Sequence, residues 1–284
     1  MPGTLFVVGT PIGNLEDLSF RALRTLKEVD LIAAEDTRRT AKLLAHYEVR
    51  RPLTSLHEHN EHRETPKLLA RLAAGESIAL VTDAGTPGVS DPGSALVKAA
   101  RDQGIRVVPV PGPSAVTTAI AGAGFPADQF VFMGFPPRSG AARTDWMERL
   151  ASESRTVVCF EAPHRADRTL EDVRLATGIR PILVCRELTK LHEELVIYTS
   201  QSVAASRGEF TIIVGPSDAA AQDNSSIRLN PSTMTETLEC LVRRAGLDEE
   251  LALRLLAGAT GIDARRIRNT IKKHVISVKQ QNKA

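Results

Sequence analysis

The sequence has few of the features that mark secreted, membrane-spanning or disulfide-rich proteins. Its three cysteines, Cys159, Cys185 and Cys240, lie far apart, and the first two fall in apolar runs. This spacing favours free thiols in a reducing compartment over disulfides or a metal site. No apolar run approaches the about 20 residues that cross a bilayer. The initial MPGTLFVVG lacks the basic start of a signal peptide. We therefore expect a cytoplasmic protein with no membrane partner.

Two common nucleotide-binding signatures are also missing. The glycine-rich segments at 9–14 and 83–93 are not followed by Lys-Ser or Lys-Thr, as a Walker A phosphate loop would be. The segment GTPIGN at 9–14 lacks the G-x-G-x-x-G spacing of a dinucleotide-binding fold. A P-loop NTPase and a Rossmann dehydrogenase are therefore disfavoured.

Short runs rich in Val, Ile and Leu alternate with amphipathic stretches as far as residue 215, which is typical of βαβ units and predicts a mostly parallel sheet. We predict two α/β lobes, at 1–112 and 113–216. The predicted strands of the first lobe are Thr4–Val8, Asp30–Ala34, Pro52–Leu56, Ser77–Thr82 and Arg106–Val110. Those of the second are Phe130–Met133, Thr156–Phe160, Ile182–Cys185, Leu195–Tyr198 and Phe210–Val214.

The C-terminal part differs in composition. The polar, small residues at 217–229 predict a linker, and 230–284 predicts a small helical domain with helices near 231–244, 248–257 and 263–273. The turn between the last two helices is consistent with a helix-turn-helix. Residues 264–284 contain seven Lys or Arg and no acid, which indicates a polyanionic partner, although a solvated helical face is the alternative.

Nearly every unusual motif follows the end of a predicted strand. These motifs are GTPIGN (9–14), AEDTRR (34–39), LHEHNEH (56–62), DAGTPGVSDPG (83–93), PGPSA (111–115), FEAPHR (160–165) and RELTK (186–190). In open α/β sheets, ligands bind at the edge formed by the carboxyl ends of the strands. The sequence therefore predicts one ligand site built from these turns.

The segment DAGTPGVSDPG is the most informative of them. Gly85, Gly88 and Gly93 permit positive φ and close backbone approach, while its two prolines stiffen the loop. The alternative is a tight strand-to-helix connection with Asp91 as N-cap and Pro92 opening the helix. Eleven residues exceed what such a turn requires, which favours ligand contact.

Two other clusters have competing interpretations. His57, His59 and His62 lie in a polar loop without the closing ligands that a zinc site requires, so we expect no metal. Glu161, His164 and Arg165 lie at a strand-to-helix junction. There a helix N-terminus and Arg165 would suit a phosphate, whereas a helix cap with an exposed arginine is the alternative.

In this order, the motifs GTPIGNLEDLS, AEDTRR, HEHNE, DAGTPGVSDPG, PGPSA, FEAPHR and RELTK resemble the ribosomal small-subunit RNA cytidine 2′-O-methyltransferase group of the tetrapyrrole methylase superfamily, over roughly residues 4–216. The resemblance implies a dimeric, two-lobed enzyme that holds a bent S-adenosylmethionine between its lobes. It also implies methylation of a ribose 2′-hydroxyl in the decoding region of the small-subunit RNA.

Carried over by position, the resemblance implies cofactor contacts from both lobes. From the first lobe and the lobe junction these are Pro11, Asp83, Ala84, Gly85, Thr86, Val89, Ser114 and Ala115. From the second lobe they are Glu161, Ala162, Pro163, Leu188, Glu209 and Phe210. RNA contacts are expected from Arg38, Arg165, Arg265, Arg266, Arg268, Lys272 and Lys273.

A base near the acceptor hydroxyl would assist methyl transfer. The candidates on the correct edge are Asp36, His57, Glu161, Glu187 and Lys190, and the sequence does not choose among them. For Asp36 the alternative is an N-cap that pairs with Arg38. Three functions remain open at this point: an RNA ribose methyltransferase, a methylase of a tetrapyrrole or other small molecule, and a non-catalytic RNA-binding protein.

Overall fold

The structure, a computed structural model, describes residues 2–199, 208–217, 231–243, 248–260, 264–265 and 267–272. Its first lobe is a five-stranded, wholly parallel sheet in the order β3-β2-β4-β1-β5. The strands are β1 Thr4–Val8, β2 Leu31–Ala34, β3 Leu53–Ser55, β4 Ile78–Val81 and β5 Arg106–Val110. The helices are α1 Phe20–Glu28, α2 Thr37–His46, α3 Glu61–Ala73 and α4 Ser94–Asp102. All five strand predictions for this lobe are confirmed within two residues.

The helices of the first lobe cover both faces of its sheet. Leu26 of α1 and Leu44 of α2 pack on one face, in a cluster with Ile32. Leu72 of α3 and Leu96 of α4 pack on the other. Strands β2 and β4 are apolar and fully buried, as is typical of the centre of a sheet that has helices on both sides.

The second lobe contains another five-stranded sheet, in the order β6-β7-β10-β8-β9. Its elements are α5 Ala115–Ala123, β6 Phe130–Phe132, α6 Gly140–Ser152, β7 Thr156–Glu161, α7 Ala166–Thr177, β8 Ile182–Arg186, β9 Glu194–Ile197 and β10 Phe210–Val214. The five predicted strands are again confirmed. Helices α6 and α7 pack on one face of this sheet and α5 on the other.

The expectation of a mostly parallel sheet is wrong for this second lobe. Only β6 and β7 pair in parallel, whereas β10 runs antiparallel to both β7 and β8, and β9 runs antiparallel to β8. The physical reason is the connections: a parallel pair needs a crossover of a dozen or more residues, usually helical, and only a short turn separates β8 from β9. Because β10 runs antiparallel to both β7 and β8, it begins at the edge of the sheet where these two strands end.

Near the C-terminus, helix α8 spans Pro231–Arg243 and α9 spans Glu249–Thr260, and residues 264–265 and 267–272 are also helical. Met234, Leu253, Leu256, Ile267 and Ile271 form a small apolar cluster among them. Apart from Ser217, the predicted linker at 217–229 lies outside the described residues. Among the helices that the structure describes, none is both long and apolar enough to cross a membrane.

Candidate functional site

Two adjoining clefts lie between the two sheets. On the first sheet they meet the edge formed by the carboxyl ends of its strands, and on the second they meet the edge where β7 and β8 end and β10 begins. The first cleft has a volume of about 280 Å³ and is lined by Ile12, Ala84, Gly85, Thr86, Val89, Ser90, Asp91, Ser114, Ala115, Phe135, Phe160, Glu161, Ala162, Pro163, Glu209, Phe210 and Thr211. The second, of about 350 Å³, is lined by Thr10, Pro11, Ile12, Gly13, Leu15, Arg39, Lys42, Leu43, Asp83, Ala84, Lys190 and Glu209. The clefts share Ile12, Ala84 and Glu209, so each is bounded by both lobes.

The turns after β1, β4 and β5 are locked to one another. Thr10 and Gly85 exchange two backbone hydrogen bonds, of 2.9 and 3.0 Å, and the Thr10 hydroxyl donates to the carbonyl of Thr82 at 3.1 Å. Gly9 and Gly112 approach so closely that a Cβ on Gly9 would lie 2.8 Å from the Gly112 Cα. The cleft walls are therefore fixed by backbone contacts between turns that are distant in sequence.

Gly85, Gly88 and Gly93 all have positive φ, as their glycine identity predicts. The alternative interpretation of this loop, with Asp91 as N-cap, is wrong. Helix α4 begins at Ser94 after Gly93, and the Glu61 carboxylate on α3 accepts hydrogen bonds from the backbone of Gly93, Ala95 and Leu96. Because a distant carboxylate caps the helix, the side chain of Asp91 lines the first cleft instead.

Asp91 is the titratable group in the first cleft whose pKa departs most clearly from its ordinary value. Burial raises the pKa of this carboxyl from 3.8 to about 6, and the negative charges of Glu35 and Asp83 act in the same direction. Asp83 is itself fixed, since its carboxylate accepts hydrogen bonds from the backbone of Asp36 and from Arg39, both at 3.0 Å. A carboxylate with a raised pKa in a cleft is typical of a functional position.

Glu161, at the end of β7, is the most buried carboxylate of the first cleft, with 2% of its surface exposed. It accepts hydrogen bonds from the Thr169 hydroxyl at 2.6 Å and from Arg165 at 3.0 Å. Thr169 in turn accepts a bond from the buried Arg143, which also pairs with Asp172 at 2.7 Å. The network provides the partners that a buried carboxylate requires and fixes its orientation.

The second cleft carries three basic side chains. Arg39 pairs with Asp83 at 3.0 Å, and Lys190 pairs with Glu187 at 2.8 Å and Glu209 at 3.2 Å. Burial acts to lower the pKa of Lys190, but the hydrogen bond to Glu187 and the charge of Glu209 outweigh it, and the pKa lies above its ordinary value. Lys190 is therefore a cation at neutral pH and cannot accept a proton there.

The other candidate bases lie outside both cleft linings. Asp36 is the N-cap of α2, and its carboxylate accepts three hydrogen bonds from Arg38, which hold its pKa well below the usual range. This is the capping interpretation raised from the sequence. His57 donates its backbone N–H to the Asn60 side chain at 2.8 Å. Within the described part of the chain, no group of three or more His, Cys, Asp or Glu side chains is placed to hold a metal ion.

Most of the cofactor residues expected from the resemblance lie in the first cleft: Ala84, Gly85, Thr86, Val89, Ser114, Ala115, Glu161, Ala162, Pro163, Glu209 and Phe210. Pro11 and Asp83 line the second cleft. Leu188 lines neither, because it is buried in the apolar cluster that joins Ile12 of the first lobe to the second lobe.

The expected RNA contacts are spread over the molecule. Arg38 is exposed at the start of α2, whereas Arg165 is largely buried and also donates to the carbonyl of Pro136. In the C-terminal helices, Arg265, Arg268 and Lys272 are exposed, and Arg268 lies 4.0 Å from Glu249. Arg266 and Lys273 lie outside the described residues.

Sequence reasoning missed Asp91, the Phe135–Phe160 pair and the cations Arg39 and Lys42. The phenyl rings meet edge to face at 5.5 Å in the wall of the first cleft. Phe135 follows the carboxyl end of β6, so the rule that located the other turns would have found it. Asp91 was hidden by its resemblance to a helix cap.

Comparison with known proteins identifies the family. Residues 4–204 match the model of the tetrapyrrole (corrin/porphyrin) methylases. The ribosomal RNA small subunit methyltransferase I of Synechocystis sp. is 43% identical over 93% of this chain and 96% of its own length. The protein of the same name from Thermotoga maritima is 50% identical over 68% of this chain and 86% of its own.

Solved structures agree on the fold. Uroporphyrin-III C-methyltransferase from Thermus thermophilus superimposes with a TM-score of 0.55 at 20% identity, over 75% of this chain and 94% of its own. A cobalt precorrin-4 methyltransferase gives 0.57 at 16% identity, over the same shares of the two chains. The chain therefore belongs to the tetrapyrrole (corrin/porphyrin) methylases and, among them, to the family of ribosomal RNA small subunit methyltransferase I proteins.

Proposed function

We propose that this protein transfers the methyl group of S-adenosylmethionine to the ribose 2′-hydroxyl of a cytidine in the decoding region of small-subunit ribosomal RNA. The observation that carries the proposal is a cleft between two lobes whose walls are the family's own motifs, in a chain more than 40% identical to small-subunit rRNA methyltransferases. A tetrapyrrole substrate is not favoured, because the two solved tetrapyrrole methylases described above share only 20% and 16% identity with this chain and support the fold alone.

The first cleft suits S-adenosylmethionine by the chemistry of its lining. Its wall combines the phenyl rings of Phe135 and Phe160 with carboxylates of Asp91, Glu161 and Glu209, and none of the described residues that line it is Lys or Arg. The aromatic and apolar surface suits an adenosine, and the carboxylates suit a cation. When bound, the cofactor supplies an electrophilic methyl group on a positively charged sulfur.

The chain's own contribution is mainly positioning. Arg38 holds the pKa of Asp36 well below its usual range, which makes this carboxylate a weak base, and two glutamates hold Lys190 protonated, so neither is suited to accept the hydroxyl proton at neutral pH. Fixed turns such as the Thr10–Gly85 pair hold the walls in place. Orientation of reactants in a rigid site can contribute about 7–11 kcal/mol in favourable systems.

Assembly and partners of the protein follow from its exposed surfaces. We infer a homodimer, because β9 is an edge strand among the strands that the structure describes and exposes the apolar Leu195, Val196 and Ile197, which suits a second copy. We infer that the C-terminal helices contact RNA phosphates through Arg265, Arg268 and Lys272. From a ribosomal RNA substrate, naked or assembled, we infer a cytoplasmic protein.

The test is to incubate the protein with S-adenosylmethionine and small ribosomal subunits from a strain that lacks the activity. Mass spectrometry of nuclease digests should find one additional methyl group on a cytidine ribose. A methyl group found only on a base or on a protein would reject the proposal.

Light scattering of the wild type and of a Val196→Lys variant tests the dimer, and an unchanged particle mass in the variant would reject β9 as its interface.

A further inference from the structure

The two clefts differ in the sign of the charge they present. The described residues lining the first include three carboxylates, Asp91, Glu161 and Glu209, and no Lys or Arg. Those lining the second include three cations, Arg39, Lys42 and Lys190, against the two carboxylates Asp83 and Glu209. The first cleft therefore favours a cationic ligand, and the second favours an anionic one.

The cations of the second cleft are not equivalent. Lys190 is held by Glu187 and Glu209, and Arg39 shares its charge with Asp83. The ammonium group of Lys42 makes no hydrogen bond or ion pair with any other residue that the structure describes, and Lys42 is exposed. Arg39 and Lys42 are three residues apart on α2, which places them on one side of the helix.

We propose that the second cleft is the acceptor subsite, where Arg39 and Lys42 bind a backbone phosphate beside the target nucleotide. This inference rests on the proposed RNA methyltransferase activity. A phosphate held on α2 leaves the neighbouring ribose in the cleft that shares the wall of Ile12 and Ala84 with the cofactor's cleft. Lys42 supplies the free charge, while Arg39, oriented by Asp83, supplies directional hydrogen bonds.

The experiment compares Lys42→Ala, Lys42→Glu and Lys42→Arg with the wild type. Lys98→Ala is the matched control, because Lys98 is an exposed lysine on α4 whose partner, Asp102, lies on its own helix. For each protein we measure binding to an unmethylated small-subunit RNA fragment across a range of salt concentrations, methyl transfer to that RNA, and S-adenosylmethionine binding by calorimetry.

Loss of one phosphate contact should flatten the log–log salt dependence of RNA binding by about one unit. We expect this flatter salt dependence and a weaker RNA affinity for Lys42→Ala. The RNA affinity of Lys42→Glu should be weaker still, and Lys42→Arg and Lys98→Ala should behave nearly as the wild type. KM for RNA should rise in Lys42→Ala, while S-adenosylmethionine binding stays unchanged.

Two failures can be told apart. If the wild type methylates the RNA and Lys42→Ala behaves like Lys98→Ala, the acceptor subsite lies elsewhere and only this inference is overturned. If the wild type binds S-adenosylmethionine but transfers no methyl group to ribose, the proposed function fails and the subsite fails with it.

Discussion

Replacing Asp91 with Asn should stabilise the protein at neutral and alkaline pH. The folded state holds the pKa of this carboxyl at about 6 instead of 3.8, mainly because burial penalises the charge. A raised carboxyl pKa means that folding favours the protonated form. Stability is therefore undiminished at low pH and falls as the pH rises from near 3.8 through about 6. Asn has nearly the same shape and carries no charge to penalise.

The size of the gain follows from the same pKa values. Moving from 3.8 to about 6 corresponds at most to about 3 kcal/mol. Because Asp91 is only partly buried, solvent screening reduces this figure, and we expect a gain of about 1 kcal/mol above pH 7. For a protein of this size that is an increase in Tm of about 2–4 °C.

Thermal unfolding of the wild type and of Asp91→Asn at about pH 4 and about pH 8 tests this reasoning. The exposed Asp128, changed to Asn, is the control for the loss of one surface carboxylate. A variant equally stabilised at both pH values, or less stable than the wild type at the higher one, would refute the assignment of a raised pKa.

The same substitution should weaken ligand binding selectively. The carboxylate of Asp91 stabilises a cation in the first cleft, so Asp91→Asn should lower the affinity for S-adenosylmethionine at neutral pH. It should change the affinity for S-adenosylhomocysteine, whose sulfur is uncharged, much less. Calorimetry with both ligands measures the difference, and an equal loss for both would show that Asp91 does not act through its charge.

Three further substitutions test the scaffold of the two lobes. Thr169→Val removes the 2.6 Å bond to Glu161 and should lower the free energy of unfolding and that of S-adenosylmethionine binding by about 1–3 kcal/mol each, measured by urea titration and calorimetry, whereas Thr169→Ser should retain both. Arg180→Met removes the side-chain donor of four backbone carbonyls, of which that of Leu150 keeps a second donor in the Glu153 N–H, and should reduce the free energy of unfolding by at least about 3 kcal/mol in urea titration. Gly93→Ala combines a φ of +119° with a Cβ 2.6 Å from Leu80, and should lower Tm clearly in the same thermal scan.

The strands could be predicted from sequence because each is a short apolar run bounded by turn residues. The buried strand β4, Ile78–Val81, has no polar residue at all, and such a run indicates a strand at the centre of a sheet. The direction of β10 could not be predicted in this way. An apolar run such as Phe210–Val214 does not indicate in which direction the strand runs, and its antiparallel pairing with β7 and β8 appears only in the folded sheet.

The site was predicted as far as it depends on strand ends, and not where it depends on long-range contacts. Glu61 lies more than thirty residues before the helix that it caps, and nothing near Asp91 in sequence reveals that the capping role is already taken. Which face of α2 meets the second cleft is likewise decided by packing, so the sequence placed Arg38 at the RNA but omitted Arg39 and Lys42.

Both clefts depend on the contact that the turn after β1 makes with the second lobe. Ile12, in the turn after β1, inserts into the apolar cluster of the second lobe, and the next turn residues continue the contact: Asn14 donates its backbone N–H to Thr189 at 3.0 Å. A Cβ on Gly13 would lie 2.5 Å from the side chain of Lys190, so a larger residue would push the lobes apart there. Since Ile12 also forms part of the wall between the clefts, the contact that sets the distance between the lobes also sets the distance between donor and acceptor. Catalysis that relies on positioning requires that distance to be constant, which is a physical reason for a glycine at this point.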